Sequence, residues 1–172
     1  PFGKTTQFNF NASGELLSRI DRNNRKIEYE YDTAHRIVKE KWDTIPQRVI
    51  AYAYDSASLL ASISDVDNSL TLDYFNNGSL KSVVSDSSLG VPQATISYSY
   101  DASDNLTRVM DSFGGVTDYG FDPLNRLARI SQSGVGANAK RVDLIYDNSG
   151  LLRETRRYSD LVGAQGVANT LY

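Results

Sequence analysis

The sequence predicts an all-β repeat array: consecutive antiparallel β-hairpins joined into one continuous twisted or coiled sheet. Three observations predict it. An aromatic slot recurs at Phe10, Tyr31, Tyr54, Tyr74, Tyr100, Phe121 and Tyr146, at intervals of 21, 23, 20, 26, 21 and 25 residues, within the period range of repeat architectures. Six positions after each slot stands a leucine or isoleucine: Leu16, Ile37, Leu60, Leu80, Leu106, Leu127 and Leu152. No apolar stripe of helical period runs for the roughly 10–12 residues a helix needs.

The strands come from alternation. Two positions before the reference aromatic stand Phe8, Tyr29, Tyr52, Leu72, Tyr98, Tyr119 and Leu144. Aromatic and β-branched residues at period two are a strand signal. Twelve of the 18 aromatic residues fall in these paired slots, so the aromatics are read first as sheet residues.

The turns come from the positions that follow. Asn11, Asp32, Asp55, Phe75, Asp101, Asp122 and Asp147 stand one place after the reference aromatic. An Asp or Asn there caps a turn through its own backbone, as an Asx-turn. Gly14, His35, Ser58, Gly78, Asp104, Asn125 and Gly150 stand four places after it. A three-residue hairpin loop needs a left-handed residue there. Glycine adopts that conformation freely, and Asn, Asp and His are the side chains enriched in it; Ser58 is the exception. This geometry sets each reference aromatic across from the invariant Leu or Ile. After that residue the next apolar position comes three places on (Ile63, Val83, Val109, Ile130), which calls for a bulge or for burial on both faces.

A second turn closes each unit with the same spacing, at Asp21…Asn24, Asp65…Asn68, Asp111…Gly114, Ser131…Gly134 and Asp160…Gly163. Short and long intervals pair into units of 44–46 residues. The extra residues fall at Ile45–Arg48, Ser87–Ala94 and Gly134–Lys140, expected as loops on one side of the sheet. A four-strand unit of that length also matches a β-propeller blade, which is the alternative architecture. FGKTTQFNF at Phe2–Phe10 matches FGGVTDYGF at Phe113–Phe121. VGAQGVANTLY at Val162–Tyr172 resembles VGANAKRVDLIYD at Val135–Asp147. Residues 1–172 therefore read as one array of about seven hairpins that opens and closes inside repeats, as an excised segment would.

Composition narrows the function. The net charge of −3 and a pI near 5.1 lack the basic surplus of a nucleic-acid footprint. No apolar run approaches the ~18 residues of a membrane span. With no cysteine, disulfides, zinc–thiolate sites and cysteine nucleophiles are ruled out. There is no Gly-x-Ser-x-Gly elbow, no histidine pair and no phosphate-cradling glycine run. His35, the only histidine, is read as a turn residue rather than a general base. The aspartates at 32, 55, 101, 122 and 147 are read as turn caps. A calcium site needs six to eight oxygens about one ion, whereas one ligand per hairpin spaces them about 10 Å apart. Trp42 and Phe113 lie outside the paired slots and are expected to make contacts beyond the hairpin or to cap a sheet edge. Catalytic, cofactor-binding and metal residues are therefore expected to be none, and no enzyme activity is expected.

YEYDTAHRIVK at Tyr29–Lys39 and YGFDPLNRLAR at Tyr119–Arg129 resemble the YD repeat, also called the RHS repeat, whose pattern runs Tyr-x-Tyr-Asp-x-x-Gly-Arg-Leu. Arg36 and Arg126 fill the arginine slot. Glu15, Leu59, Ser79, Asn105 and Leu151 replace it in the other copies, and Phe75 replaces the aspartate of the fourth. The resemblance implies a hairpin ribbon that coils into a hollow shell, as in bacterial polymorphic toxins, the cocoon subunits of toxin complexes and related cell-surface proteins. It implies a secreted or surface-exposed bacterial protein whose repeats wall in a toxin or build a fibre. Partners would be neighbouring repeats, through end-to-end association, and an enclosed toxin domain. In the family an Asp-Pro-x-Gly segment cuts the toxin free; Asp122-Pro123 lies in an ordinary repeat turn and does not take that role. The alternative function is a carbohydrate-binding surface made of the aromatic rows.

Overall fold

The computed structural model describes residues 5–87 and 90–172. Phe2, Gly3 and Lys4 of the first matched stretch, and Ser88 and Leu89 of the Ser87–Ala94 insertion, lie outside them. Among the described residues there are fifteen strands and no helix. They are β1 Gln7–Phe10, β2 Leu16–Ile20, β3 Lys26–Tyr31, β4 Ile37–Trp42, β5 Arg48–Tyr54, β6 Leu60–Ser64, β7 Asn68–Tyr74, β8 Leu80–Ser87, β9 Ala94–Tyr100, β10 Leu106–Asp111, β11 Val116–Phe121, β12 Leu127–Gly134, β13 Ala137–Tyr146, β14 Leu152–Tyr158 and β15 Gly166–Leu171. They follow one another in chain order in a single antiparallel sheet. A propeller would break the ladder after every fourth strand, so the propeller alternative is overturned by this topology. The chain divides into two units, residues 1–73 with 84–93 and residues 74–83 with 94–172.

In both units the hairpin is built from the turn outward. The backbone is left-handed at all seven slots the spacing marks, including His35 (φ 61°) and Ser58 (φ 66°). In the second hairpin the His35 N–H donates to the Asp32 carbonyl at 3.0 Å, and the Asp32 N–H donates to the Arg36 carbonyl at 2.9 Å. The same pair of bonds recurs in each of the other six. The register then sets Phe10 opposite Leu16, Tyr31 opposite Ile37, Tyr54 opposite Leu60, Tyr100 opposite Leu106, Phe121 opposite Leu127 and Tyr146 opposite Leu152. Immediately beyond each pair the ladder slips by one residue, at Leu17, Val38, Ala61, Thr107, Ala128 and Arg153. This bulge explains the three-residue step. It returns Ile63, Val109 and Ile130 to positions opposite Tyr52, Tyr98 and Tyr119.

The second set of turns is less uniform. Asn24, Gly114 and Gly163 are left-handed as the spacing implies. At Asp65…Asn68 no left-handed residue is used: the Asp65 N–H donates to the Asn68 carbonyl at 2.9 Å, with only Val66 and Asp67 between. The turn expected at Ser131…Gly134 does not form there. β12 continues to Gly134, and the chain reverses at Val135 and the left-handed Gly136. The Gly134–Lys140 insertion is therefore mostly strand, and it lengthens β12 and β13 instead of making a loop.

Period-two alternation and the register assign the two faces. One carries both aromatic rows and the invariant Leu or Ile. The other carries charge and small residues: Lys26, Glu28, Glu30, Lys39, Lys41, Ala51 and Ala53 in the first unit, and Arg108, Asp118, Arg129, Asp143, Arg156 and Glu154 in the second. Each strand touches only its sequence neighbours among the described pairs. In consequence Ile27, at 6% exposure, is the one buried apolar residue described. It lies between Arg19 and Trp42 on flanking strands.

Ser58 is the one left-handed slot filled by a residue outside the Gly, Asn, Asp and His set. A left-handed backbone costs an L-residue roughly 1–2 kcal/mol, while glycine loses roughly 0.5–1 kcal/mol more chain entropy on folding. Ser58→Gly is expected to stabilise the chain by roughly 0.5–1 kcal/mol, read as a higher urea midpoint. An unchanged or lower midpoint contradicts this account of the turn.

Candidate functional site

The repeated letters converge on one edge of each unit, where the reference turns stand side by side. Each leading acid caps its turn. Asp32 accepts the N–H groups of Ala34 and Arg36 at 2.9 and 3.0 Å, and Asp122 those of Leu124 and Arg126, both at 2.9 Å. Asp101, Asp147 and Asn11 do the same in their own turns, and Asp55 caps Leu59 at 2.8 Å. Phe75 has no acceptor to offer, and the side-chain carbonyl of Asn77 accepts the Ser79 N–H at 3.1 Å from inside the turn.

Where the arginine slot is filled, the arginine ties two repeats together. Arg36 Nη2 lies 2.7 Å from Asp32 of its own turn, and its guanidinium carbon stands 4.3 Å from the ring centre of Tyr54 in the next repeat. Arg126 repeats this arrangement, 2.7 Å from Asp122 and 4.3 Å over Tyr146. Both carboxyls are held below the usual carboxylate value, first by the backbone N–H of the arginine and then by its side chain. Other residues make different ties between neighbouring tips. Glu15 meets His35 Nδ1 at 2.7 Å. Asn77 Nδ2 donates to Asp104 at 2.7 Å, and Asn105 Nδ2 to Asn125 at 2.5 Å.

The tyrosine hydroxyls add a link that the spacing does not reveal. Tyr31 Oη donates to the Leu16 carbonyl at 3.0 Å, Tyr54 Oη to Ile37 at 2.9 Å, and Tyr146 Oη to Leu127 at 2.8 Å. Each acceptor is the invariant residue of the preceding repeat, at the bulge where the regular ladder is interrupted. The preference for tyrosine over phenylalanine in this slot marks a hydroxyl in use, though not the main-chain group that accepts it. Alternation alone asks only for a large apolar ring.

The singled-out residues take these places. His35 is exposed at a turn tip against Glu15. The five aspartates are each occupied with their own turns and do not converge. Trp42 ends β4 with Nε1 donating to Glu40 at 3.2 Å. Tyr52 Oη donates to the same carboxylate at 3.1 Å, and burial, then the Glu40 charge, pushes this phenol up to about 12. Phe113 is exposed in the turn between β10 and β11. Among the described residues no three His, Asp or Glu side chains gather as metal ligands, and no helix is long and apolar enough to cross a membrane. On the charged face Glu30 pairs with Lys39 and Lys41, and Asp143 with Arg129 and Arg141. Recesses of ≈ 390 Å³ by Ile96, Val109 and Thr117 and ≈ 410 Å³ by Phe75 and Tyr100 open in the second unit.

The Asp–Arg pairs at 32/36 and 122/126 fall inside the two stretches, residues 10–41 and 100–136, that match the family described as RHS Repeat. These two stretches are RHS repeats. Its fold agrees with solved structures. The chain aligns over 96% of its length with TcdB2-TccC3-TEV (TM-score 0.81, 15% identity) and TcdB2-TccC3-Cdc42 (TM-score 0.82, 16% identity). It aligns over 88% with the Photorhabdus luminescens Tc holotoxin pore carrying TccC3-D651A (TM-score 0.57, 16% identity). It spans about a tenth of those chains (10%, 10% and 11%), and at such identities the likeness is one of fold. No curated protein matches. The RHS repeat in this chain is a structural unit: its Tyr, Asp, Arg and Leu are each accounted for by a turn, a cross-strand pair or a tie to the next repeat.

Two outcomes test this ladder. Tyr146→Phe removes one hydroxyl–carbonyl bond and is expected to cost about 1 kcal/mol. Phe121→Tyr, which offers a hydroxyl in the same slot, is expected to be neutral or stabilising by up to about 1 kcal/mol; both are read by urea unfolding. Acid weakens the turns. Asp21 and Asp65 are lowered to about 2, chiefly by the side chains of Arg25 and Arg48, and Asp32 and Asp122 are lowered too. A depressed carboxyl binds fewer protons in the folded chain, so its stabilisation is complete above the unfolded value near 4 and is lost as pH falls through the folded one. The urea midpoint is expected to fall between pH 4 and 2, less steeply in high salt. A flat profile there contradicts the role given to these acids.

Proposed function

We propose that this chain is a stretch of wall in a secreted or cell-surface bacterial RHS-repeat protein, a wall that encloses a toxin domain or continues into an extracellular fibre. Its role is non-catalytic. The observation that carries the reading is the aromatic face. Both aromatic rows and the invariant Leu or Ile share it, yet among the described pairs each strand touches only its sequence neighbours, and Ile27 alone among the described apolar residues is buried. A sheet of this kind is completed by further repeats or by something held against it, since exposed apolar area of this extent marks an interaction surface. Solved structures of like fold include TcdB2-TccC3 and the Photorhabdus luminescens Tc holotoxin pore, and this chain corresponds to about a tenth of each (10% and 11%).

The carbohydrate alternative draws less support. Tyr31, Tyr54 and Tyr146 donate their hydroxyls to backbone carbonyls and Tyr52 to Glu40. The ring faces on which a sugar would stack are also covered at Tyr54 and Tyr146, by Arg36 and Arg126.

Limited proteolysis of the full-length protein, intact and with residues 1–172 excised, separates the outcomes. Enclosure predicts that the segment C-terminal to the repeats resists protease only while the wall is whole. Equal cleavage in both forms overturns enclosure. Extended polymers of the intact protein by electron microscopy then identify a fibre.

A further inference from the structure

We propose that the recess between the fourth and fifth reference turns is a receptor for an arginine side chain presented by another polypeptide. The repeat itself shows what such a slot holds. In the second and sixth hairpins a resident arginine lies against the turn aspartate with its guanidinium 4.3 Å over the next reference tyrosine. In the fourth hairpin Phe75 stands at the aspartate position and Ser79 at the arginine position, so no resident guanidinium reaches Tyr100. The turn keeps its backbone form regardless, with Gly78 N–H donating to the Phe75 carbonyl at 2.9 Å and Phe75 N–H to the Ser79 carbonyl at 2.9 Å.

What replaces the arginine is open space. A cavity of ≈ 410 Å³ is lined by Phe75, Asn76, Asn77, Tyr100, Asp101 and Asp104. Phe75 meets Tyr100 edge-on, with ring centres 6.1 Å apart and planes at 90°, and both rings line the recess. Two carboxylates line it too, and among the described residues no basic side chain does. Asp101 is bound into its own turn, where it accepts from Ser103, Asn105 and the Asn105 side chain. Asp104 is fixed by Asn77 Nδ2 at 2.7 Å on one oxygen. Aromatic faces and carboxylates both attract a cation. A planar guanidinium stacks on a ring and reaches a carboxylate at once, which an ammonium does not, and Arg36 and Arg126 do both in this chain. A metal ion is the poorer occupant, because no three ligating side chains gather among the described residues.

Nuclear magnetic resonance titration of the 172-residue chain with N-acetyl-arginine amide, N-acetyl-lysine amide and N-acetyl-citrulline amide tests the assignment. The arginine amide is expected to give saturable 1:1 shifts at Asn77, Gly78, Tyr100 and Asp104, with lysine weaker and the neutral, isosteric citrulline inert. Asp104→Asn is expected to weaken binding roughly two- to fivefold, as for an exposed ion pair. The double variant Phe75→Asp, Ser79→Arg restores the repeat's own Asp–Arg pair and is expected to abolish binding while leaving the rest of the spectrum in place. Equal response to citrulline, lysine binding as tight as arginine, or retained binding in the double variant each overturns the proposal.

Discussion

The structure depends on a single backbone constraint, the left-handed residue four places after each reference aromatic. That residue lets the chain reverse in three residues and fixes which side chains face each other across the hairpin. A slip of one residue would carry every aromatic to the charged face. The bulge one step further in corrects the spacing, so that both aromatic rows and their aliphatic partners stay on one face. Propensity supports the strands, but the turn decides their register. This is why the six hairpins whose register is described align the same way, and why the motif's most conspicuous letters crowd about the turn.

Much of this was legible in the residues. The positions of the reference turns, the cross-strand partners of six reference aromatics and the absence of helix among the described residues follow from period-two alternation and from the spacing of Asp and Gly-like residues. The Ser131…Gly134 turn was misplaced because Val135-Gly136 offers the stronger reversal two residues later, and a strand absorbs the residues between. Asp65…Asn68 shares the spacing but closes without a left-handed residue, so spacing alone does not define a turn type. The propeller alternative rested on unit length, which says nothing about whether a sheet breaks between units.

The partners in the ties between repeats were not legible, even where the preference for tyrosine hinted at a donor. A tyrosine and the carbonyl it meets lie fifteen to nineteen residues apart, and a main-chain acceptor leaves no trace in a side-chain pattern. Arg36 over Tyr54 likewise joins two motifs that a copy-by-copy alignment treats as separate. Comparing the copies shows which letters recur. In the folded chain some of those letters serve the following copy and not their own. Where a copy departs from the pattern, as at Phe75 and Ser79, the departure is felt next door, around Tyr100.

The hydroxyl-to-carbonyl bond gives the array a direction. Where Tyr31, Tyr54 or Tyr146 fills the slot, the preceding repeat lends an acceptor and receives a donor, so the two sides of such a junction are chemically unlike. Removing the following repeat strands a carbonyl inside a bulge, a fixed group that cannot turn away. Removing the preceding one frees only a phenol, which can rotate to meet water. Loss or duplication of repeats should therefore be tolerated differently at the two sides of a cut. The natural unit of inheritance would run from one bulge to the next tyrosine rather than from turn to turn.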